Sequence, residues 1–309
     1  MNNLVIIGTG QSATQCILTL RRNMFKDHIT MVGEEKHLPY QRPPLSKEFL
    51  SGEVSLERVF MKSKEFFDQN DVTIFTSTPV VSIDRNKKIL SLPNQESLPY
   101  NKLVIATGSR VRKLDVEGSS LKNISYLRSI EDANKLKEYF KFGKKLVIVG
   151  AGYVGLEVAA TAVKKGINVT LIEMENRIMS RTVDPVISKY FDSLHRQNGV
   201  EIVLGAALEK FEGKDVVERV ICSNGQVIEA DGVLIGVGIL PNQELAESAG
   251  LNCNNGILVD EFGRTEDNSI FACGDCTNHP NASLNKNLRL ESVHNALEQA
   301  KTVAFSLIG

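Results

Sequence analysis

Short apolar runs, each stopped by glycine, punctuate the chain. Leu4-Val5-Ile6-Ile7 leads into Gly8-Thr9-Gly10, and the pattern returns as Leu146-Val147-Ile148-Val149 before Gly150-Ala151-Gly152. Unbroken apolar runs of this length, bounded by turn residues, read as strands buried on both faces of a parallel sheet. Each glycine turn is followed by a helix-length segment and a second apolar strand, Ile29-Thr30-Met31-Val32 in the first copy and Val169-Thr170-Leu171-Ile172 in the second. The pattern therefore predicts two βαβ units. Between them lie residues 80–91 and a strand, Leu103-Val104-Ile105, that runs into the turn Ala106-Thr107-Gly108. After the second copy come an expected strand over 200–204, a hairpin turning at Asn224-Gly225 between 216–222 and 227–229, and a strand over 233–237. These strand-rich stretches read as crossovers between βαβ halves. No low-complexity tract or Gly/Ser linker interrupts the chain, so domain boundaries are expected at the glycine-rich returns near 113 and 238.

Composition narrows the function classes. With 309 residues the chain is long enough for two domains, and 42% hydrophobic with 24% charged residues excludes disorder and fibre. Lys plus Arg number 36 against 37 Asp plus Glu, a balance that gives no footprint for nucleic acid. Residues 146–163 carry a single charge, Glu157, over 18 positions, yet Gly150, Gly152 and Gly155 break the stretch into strand, turn and helix, so no membrane span is expected. The strand pattern begins at Leu4, leaving no secretory signal pattern, so a cytoplasmic protein is expected, as a monomer and without a metal site. Five cysteines (Cys16, Cys222, Cys253, Cys273, Cys276) are an odd number and do not suggest a disulfide framework.

The glycine turns carry the candidate chemistry. In Gly8-Thr9-Gly10-Gln11-Ser12-Ala13 small residues let backbone N–H groups and a helix N-terminus approach a pyrophosphate, whose charge the helix dipole favours. Glu34 is the expected ribose acid of this copy, although Gly33 occupies the usual place and Glu35 is a rival. The second copy, Gly150-Ala151-Gly152-Tyr153-Val154-Gly155, is followed directly after its strand by Glu173. A carboxylate there accepts from both ribose hydroxyls and repels a 2′-phosphate, and no arginine precedes Arg177, so NAD is expected over NADP. Arg177 and Arg181 otherwise read as solvated charge. Two fingerprints imply two nucleotides, most economically a nicotinamide cofactor delivering hydride to a bound flavin.

A longer series occurs in order: Tyr40-Gln41-Arg42-Pro43-Pro44-Leu45-Ser46-Lys47, Ala106-Thr107-Gly108, Gly150 through Glu157, Gly236-Val237-Gly238-Ile239-Leu240-Pro241-Asn242, and Ile270-Phe271-Ala272-Cys273-Gly274-Asp275. It resembles the FAD-dependent ferredoxin reductases, which include putidaredoxin reductase, rubredoxin reductase and the reductase components of aromatic-ring dioxygenases. The Arg-Pro-Pro-Leu-Ser-Lys block separates this branch from the wider disulfide-reductase superfamily. The resemblance implies an α/β fold with two Rossmann-like dinucleotide-binding domains of the glutathione-reductase type. An NAD domain over 114–238 would be inserted in a discontinuous FAD domain over 1–113 and 239–309. It implies hydride transfer from NADH to FAD and one-electron transfer onward to a [2Fe-2S] ferredoxin or rubredoxin, as the reductase component of an oxygenase system.

By the same resemblance Arg42 contacts the phosphate or ribose region of FAD and Lys47 lies beside the isoalloxazine. Ala106, Thr107 and Gly108 turn the chain against the cofactor, Arg110 supports it, and Gly274 with Asp275 binds pyrophosphate and ribityl chain. Ser292 and Val293 open the last helix under the flavin, where Ser292 as cap would aim the positive helix end at the reduced ring. His294 departs from the glutamine of the pattern and is given no acid–base role. Glu157, the lone carboxylate of an apolar helix, is expected to pair with Lys47, because a buried carboxylate without a charge partner is costly. These two are the candidate catalytic residues. Tyr153 could cover the flavin and swing away when nicotinamide stacks, and Gly238 belongs to the return into the FAD domain.

Cys273-Gly274-Asp275-Cys276 is formally a Cys-x-x-Cys motif, but it brackets the FAD-binding Asp275 and does not open a helix, so structural cysteines are expected. Two rivals stand beside the reductase reading. A flavin disulfide reductase using Cys273 and Cys276 would lose its turnover without the pair, and a signalling flavoprotein resembling apoptosis-inducing factor would hold a long-lived NADH-reduced complex and turn over poorly with ferredoxins. Relatives of the family continue into a small C-terminal domain that helps cover the flavin and dock the acceptor, which the 309 residues do not include.

Overall fold

The protein is described by a computed structural model over residues 3–141 and 143–309. By contact it forms two compact units, one of residues up to Gln41 with Phe60–Arg110 and Leu240–Gly309, the other of Arg42–Val59 with Val111–Ile239. Each unit is built on its own five-stranded parallel sheet.

In the first unit the strand order is Ile270–Ala272, Lys102–Ile105, Asn3–Ile7, His28–Val32, Val72–Phe75. Leu4 lies opposite both Ile29 and Lys102. Side chains alternate across a strand, so the unbroken run at 4–7 needs cover on both sides. Leu4 and Ile6 pack among Ala13, Cys16, Ile17 and Leu20 of the helix Gln11–Arg22, and Ala300, Val303 and Ala304 of the helix Val293–Ile308 join the same cluster. Val5 and Ile7 meet Ile83 and Leu90 of the antiparallel meander Ser82–Asp84, Ile89–Ser91, Ser97–Pro99. Burying each such side chain contributes about 1.5–3 kcal/mol, which is why the run tolerates no polar position.

The second unit repeats this logic with the order Val200–Leu204, Asn168–Glu173, Lys145–Val149, Gly232–Ile235, Ile124–Ser125. Leu146 and Ile148 pack on the helix Tyr153–Lys164 through Val158, Ala159 and Ala162. Val147 and Val149 face a meander of Leu208–Glu212, Arg219–Cys222 and Val227–Glu229. The hairpin at Asn224-Gly225 is present, closed by Cys222 N–H to Gln226 C=O and Gly225 N–H to Cys222 C=O, both 2.9 Å, with Gly225 at φ 83°. Two expected strands are shorter than read. The first hairpin strand starts at Arg219, because Val216 bridges to Lys122 instead. The strand expected over 233–237 spans Gly232–Ile235 and ends where the Gly236 carbonyl turns toward Gly150.

The contact-based units change over at Arg110/Val111 and Ile239/Leu240, and they also group Arg42–Val59 with the second sheet, whereas the sequence reading keeps these residues with the first. Leu50 explains the grouping, since it is buried in the core of the second unit, and Phe49 carries the Lys137 ammonium 3.4 Å from its ring centroid. Among the described residues no helix is long and apolar enough to cross a membrane.

Candidate active site

Both glycine turns leave a helix N-terminus bare. Gly10 and Gly152 cap their helices in extended conformation with no side-chain hydrogen bond, and a Cβ built on either meets nothing within 4 Å. The space beside each capping glycine is therefore open and no side chain caps the amides of the first turn, an arrangement that suits a pyrophosphate. Gly8 and Gly150 serve a different purpose. Each has positive φ, 118° and 101°, and its missing Cβ would stand 2.2 Å from the Ala106 carbonyl oxygen or 2.5 Å from that of Gly236. Only glycine lets the strand that leads into each turn reach the neighbouring return so closely.

The acids expected at the two ribose positions sit differently. Glu173 ends its strand with Oε2 accepting from the Ala151 N–H at 2.8 Å and Oε1 from the Glu175 N–H at 3.0 Å, which fixes the carboxylate beside the second turn. Arg177 donates its guanidinium N–H groups to the carbonyls of Val183 and Ser180. In the first copy Glu34 is exposed, while Glu35 accepts from the Tyr40 hydroxyl.

Around the first turn, Gly274 adopts φ 88°, and a Cβ there would lie 2.4 Å from Ser12 Oγ. The Gly274 N–H donates to Gln299 Oε1 at 2.7 Å, and the Ser109 hydroxyl donates to Asp275 at 2.8 Å. Thr107 and Asn242 exchange two hydrogen bonds of 2.7 and 2.9 Å and the Asn242 N–H donates to Gly108 C=O, pinning the Ala106-Thr107-Gly108 turn. Arg110 is held by Glu244 at 2.6 Å and by Asn242 Oδ1 at 3.0 Å. Ser292 caps the last helix by accepting from the Asn295 N–H, with Val293 as its first residue.

Lys47 and Glu157 meet at 2.7 Å, Nζ to Oε2, inside the second unit. Glu157 also accepts from the Ser46 hydroxyl at 2.6 Å. Each of the pair is about a third exposed, the side chains at 38% and 33%, so the ion pair is worth about 1 kcal/mol or less to folding and is open to a ligand. Arg42 Nη1 donates to the Arg128 carbonyl at 2.7 Å, and Gly238, at φ 105°, accepts from the Arg112 N–H through its carbonyl. Tyr153 and Val154 stand exposed on the first turn of their helix, an apolar surface beside the bare amides.

Residues 2–300 match the pyridine nucleotide-disulphide oxidoreductase family. The chain belongs to it. Rhodocoxin reductase of Rhodococcus erythropolis is 40% identical over 99% of the chain and 72% of its own length, and rubredoxin-NAD(+) reductase of Ectopseudomonas oleovorans is 38% identical over 99% and 80%. The crystal structure of a covalent putidaredoxin reductase–putidaredoxin complex superposes with a TM-score of 0.96 at 36% identity, over 99% of this chain and 75% of that one. These similarities place the protein in the ferredoxin- and rubredoxin-reductase branch of the pyridine nucleotide-disulphide oxidoreductases.

The name of that family makes the thiols decisive. Burial pushes the Cys273 thiol well above its ordinary value, with Cys16 and Cys276 adding to the shift, and burial likewise raises Cys276. Both are fully enclosed. A thiol attacks as thiolate, so neither is poised for disulfide exchange. The sequence reading missed Ser46, Thr161, Gln299 and Ser109 as site residues. Ser46 had one signal, its place beside Lys47 in the Arg-Pro-Pro-Leu-Ser-Lys block, whereas Gln299 and Ser109 stand in no motif.

Proposed function

We propose that the protein is an FAD-dependent NADH:ferredoxin or rubredoxin reductase, serving as the reductase component of an oxygenase system and acting as a monomer. The observation that supports this reading is two fingerprint helices without side-chain caps together with a buried cysteine pair whose thiols burial pushes up, a combination that favours two bound nucleotides and a flavin that passes electrons on without a dithiol. Bound FAD would supply the chemistry, accepting two electrons as hydride from NADH and releasing them singly to an iron–sulfur protein. The chain's own residues bind and orient. The amides after Gly10 hold the FAD pyrophosphate, Gly274 admits the backbone beside it, and Asp275 accepts from ribityl hydroxyls. The amides after Gly152 hold the pyrophosphate of NAD, and Glu173 takes its ribose. Lys47 supplies positive charge where negative charge develops on reduction, and Glu157 holds that ammonium in place. Arg42 and Arg110 support the bound flavin nucleotide, and the helix capped by Ser292 adds the positive end of its dipole.

The test is an electron-transfer assay. Purified protein should carry about one non-covalent FAD, be reduced by NADH, and pass electrons to a [2Fe-2S] ferredoxin or rubredoxin. A Cys273→Ala/Cys276→Ala variant should keep that turnover. Loss of turnover in a variant that still holds FAD would favour disulfide-reductase chemistry instead. A long-lived NADH-reduced state with poor turnover of both acceptors would favour the signalling flavoprotein.

A further inference from the structure

We infer that Ser46 is the residue that positions the Lys47–Glu157 pair, an inference that rests on the hydride-transfer reading above. Its hydroxyl has one proton to give and two acceptors in reach, Glu157 Oε2 at 2.6 Å and the Pro43 carbonyl at 3.3 Å. The shorter, charge-assisted bond takes the proton. The same Oγ stands 3.4 Å from Lys47 Nζ, so hydroxyl, ammonium and carboxylate close a triangle in which Oε2 accepts from both donors.

Burial divides the labour within this triangle. Lys47 and Glu157 are long side chains with a third of their surface in water, so holding each in one rotamer costs entropy. Ser46 is short and only 4% exposed, set in the tight turn Pro43–Ser46 whose prolines stiffen the backbone. Thr161 ties that turn down from the helix side. Its hydroxyl lies 2.9 Å from both the Ser46 carbonyl and the carbonyl of Glu157 one turn before it. A buried hydroxyl thus sets where a longer, partly exposed carboxylate rests, and the carboxylate sets the ammonium. Pro43 also accepts from Lys47 Nζ at 3.2 Å, so its carbonyl lies within reach of both donors. Ser46 acts through Glu157 and touches no reacting atom itself.

The experiment is a double-mutant cycle of Ser46→Ala and Glu157→Gln, read on the FAD-loaded protein and on the apo-protein. In single-turnover mixing, Ser46→Ala should lower the limiting rate of NADH-dependent flavin reduction about tenfold while changing the half-saturating NADH concentration less than about twofold. In the Glu157→Gln background the same substitution should change the rate less than about twofold. The flavin midpoint potential should shift in the same direction in both single variants, with no further shift in the double variant. Ser46→Thr, which keeps the hydroxyl, should restore the potential. Apo-protein unfolding in urea should show the same non-additivity. Parent-like reduction by Ser46→Ala, or equal losses in both Glu157 backgrounds, overturns the positioning role. A parent protein that holds FAD but is not reduced by NADH overturns the functional reading instead, and the apo-protein cycle then still decides whether Ser46 and Glu157 are coupled.

Discussion

The two glycine turns share a backbone and differ in what surrounds it. Gly8 N–H bonds the Val32 carbonyl at 2.7 Å and Gly150 N–H bonds the Ile172 carbonyl at 2.8 Å, the same link in each copy. Beyond that link the copies part. In the first, Thr9 fills the space beside residue 33, where a Cβ would lie 2.6 Å from its methyl, and the next acids along the chain are Glu34 and Glu35. In the second, Ala151 leaves that space open and Glu173 reaches into it. One turn further, Ala13 fits a fully buried site in the first copy, whereas Gly155 in the second has the Gly150 carbonyl oxygen 2.2 Å from where its Cβ would stand. A common motif thus fixes the strand-to-helix passage, while two side-chain choices decide how close the helix lies and where the ribose acid can stand.

The largest expected effect breaks the comparison at the third glycine. Gly155→Ala must push the helix off the turn and should cost about 3 kcal/mol, at the upper end of overpacking penalties, measured by urea unfolding. Ala13→Gly removes a methyl from a site without such a conflict and should cost about 1 kcal/mol. Equal costs would mean that the two helices sit alike on their turns.

The next effect concerns the residue six positions after the capping glycine, Cys16 in one copy and Val158 in the other, both fully buried. Burial pushes the Cys16 thiol up to about 12. In the unfolded chain a thiol titrates near 8.5, so above that pH the unfolded state releases a proton that the folded state keeps. The stabilisation is present in full below about pH 8.5 and falls as pH rises through the folded value, by about 2 kcal/mol at pH 10. Cys16→Val, which gives the first helix the residue of the second, should flatten that alkaline fall in urea midpoints. An unchanged slope would place the titrating group elsewhere.

How much of this was legible follows from where each signal resides. The sheets were readable because residues 4–7 and 146–149 are covered on both faces, and double burial leaves an unbroken apolar run. The fingerprint turns were readable because close backbone approach requires glycine at Gly8, Gly150 and Gly155. The grouping of Arg42–Val59 was not, since it depends on Leu50 reaching a distant core, and a single buried leucine has no period. The Lys47–Glu157 meeting was read from family resemblance and not from spacing. Ser46 to Glu157 spans 111 residues of sequence, and a hydrogen bond over that separation leaves no local pattern.

A smaller effect tests the pair itself. Lys47→Met and Glu157→Gln should each leave FAD bound and stability within about 1 kcal/mol, because the ion pair is partly exposed. If Lys47 has the role proposed for it, each should slow NADH-dependent flavin reduction by about tenfold. The rates of the double variant should be non-additive. Additive losses would show that the two residues, though in contact, do not act together on reduction.

The smallest expected effect sharpens the contrast between the ribose acids. Glu173 is held by two backbone N–H groups beside the second turn, where the proposed function puts the ribose of NAD. Glu173→Ala removes the ribose acceptor and the repulsion together, weakening NADH use and narrowing the NADH-to-NADPH preference in kcat/KM by about tenfold. Glu34 has no such anchoring, and no nicotinamide coenzyme is assigned to its turn. Glu34→Ala should therefore leave the coenzyme ratio unchanged and weaken FAD retention during dialysis by a few-fold at most, the loss of one exposed hydrogen-bond acceptor costing about 0.5–1.5 kcal/mol. A parent protein that already prefers NADPH, or a Glu34→Ala variant that shifts the coenzyme ratio as Glu173→Ala does, would show that the two turns are not divided between FAD and NAD in the order argued from Thr9, Gly33, Ala151 and Glu173.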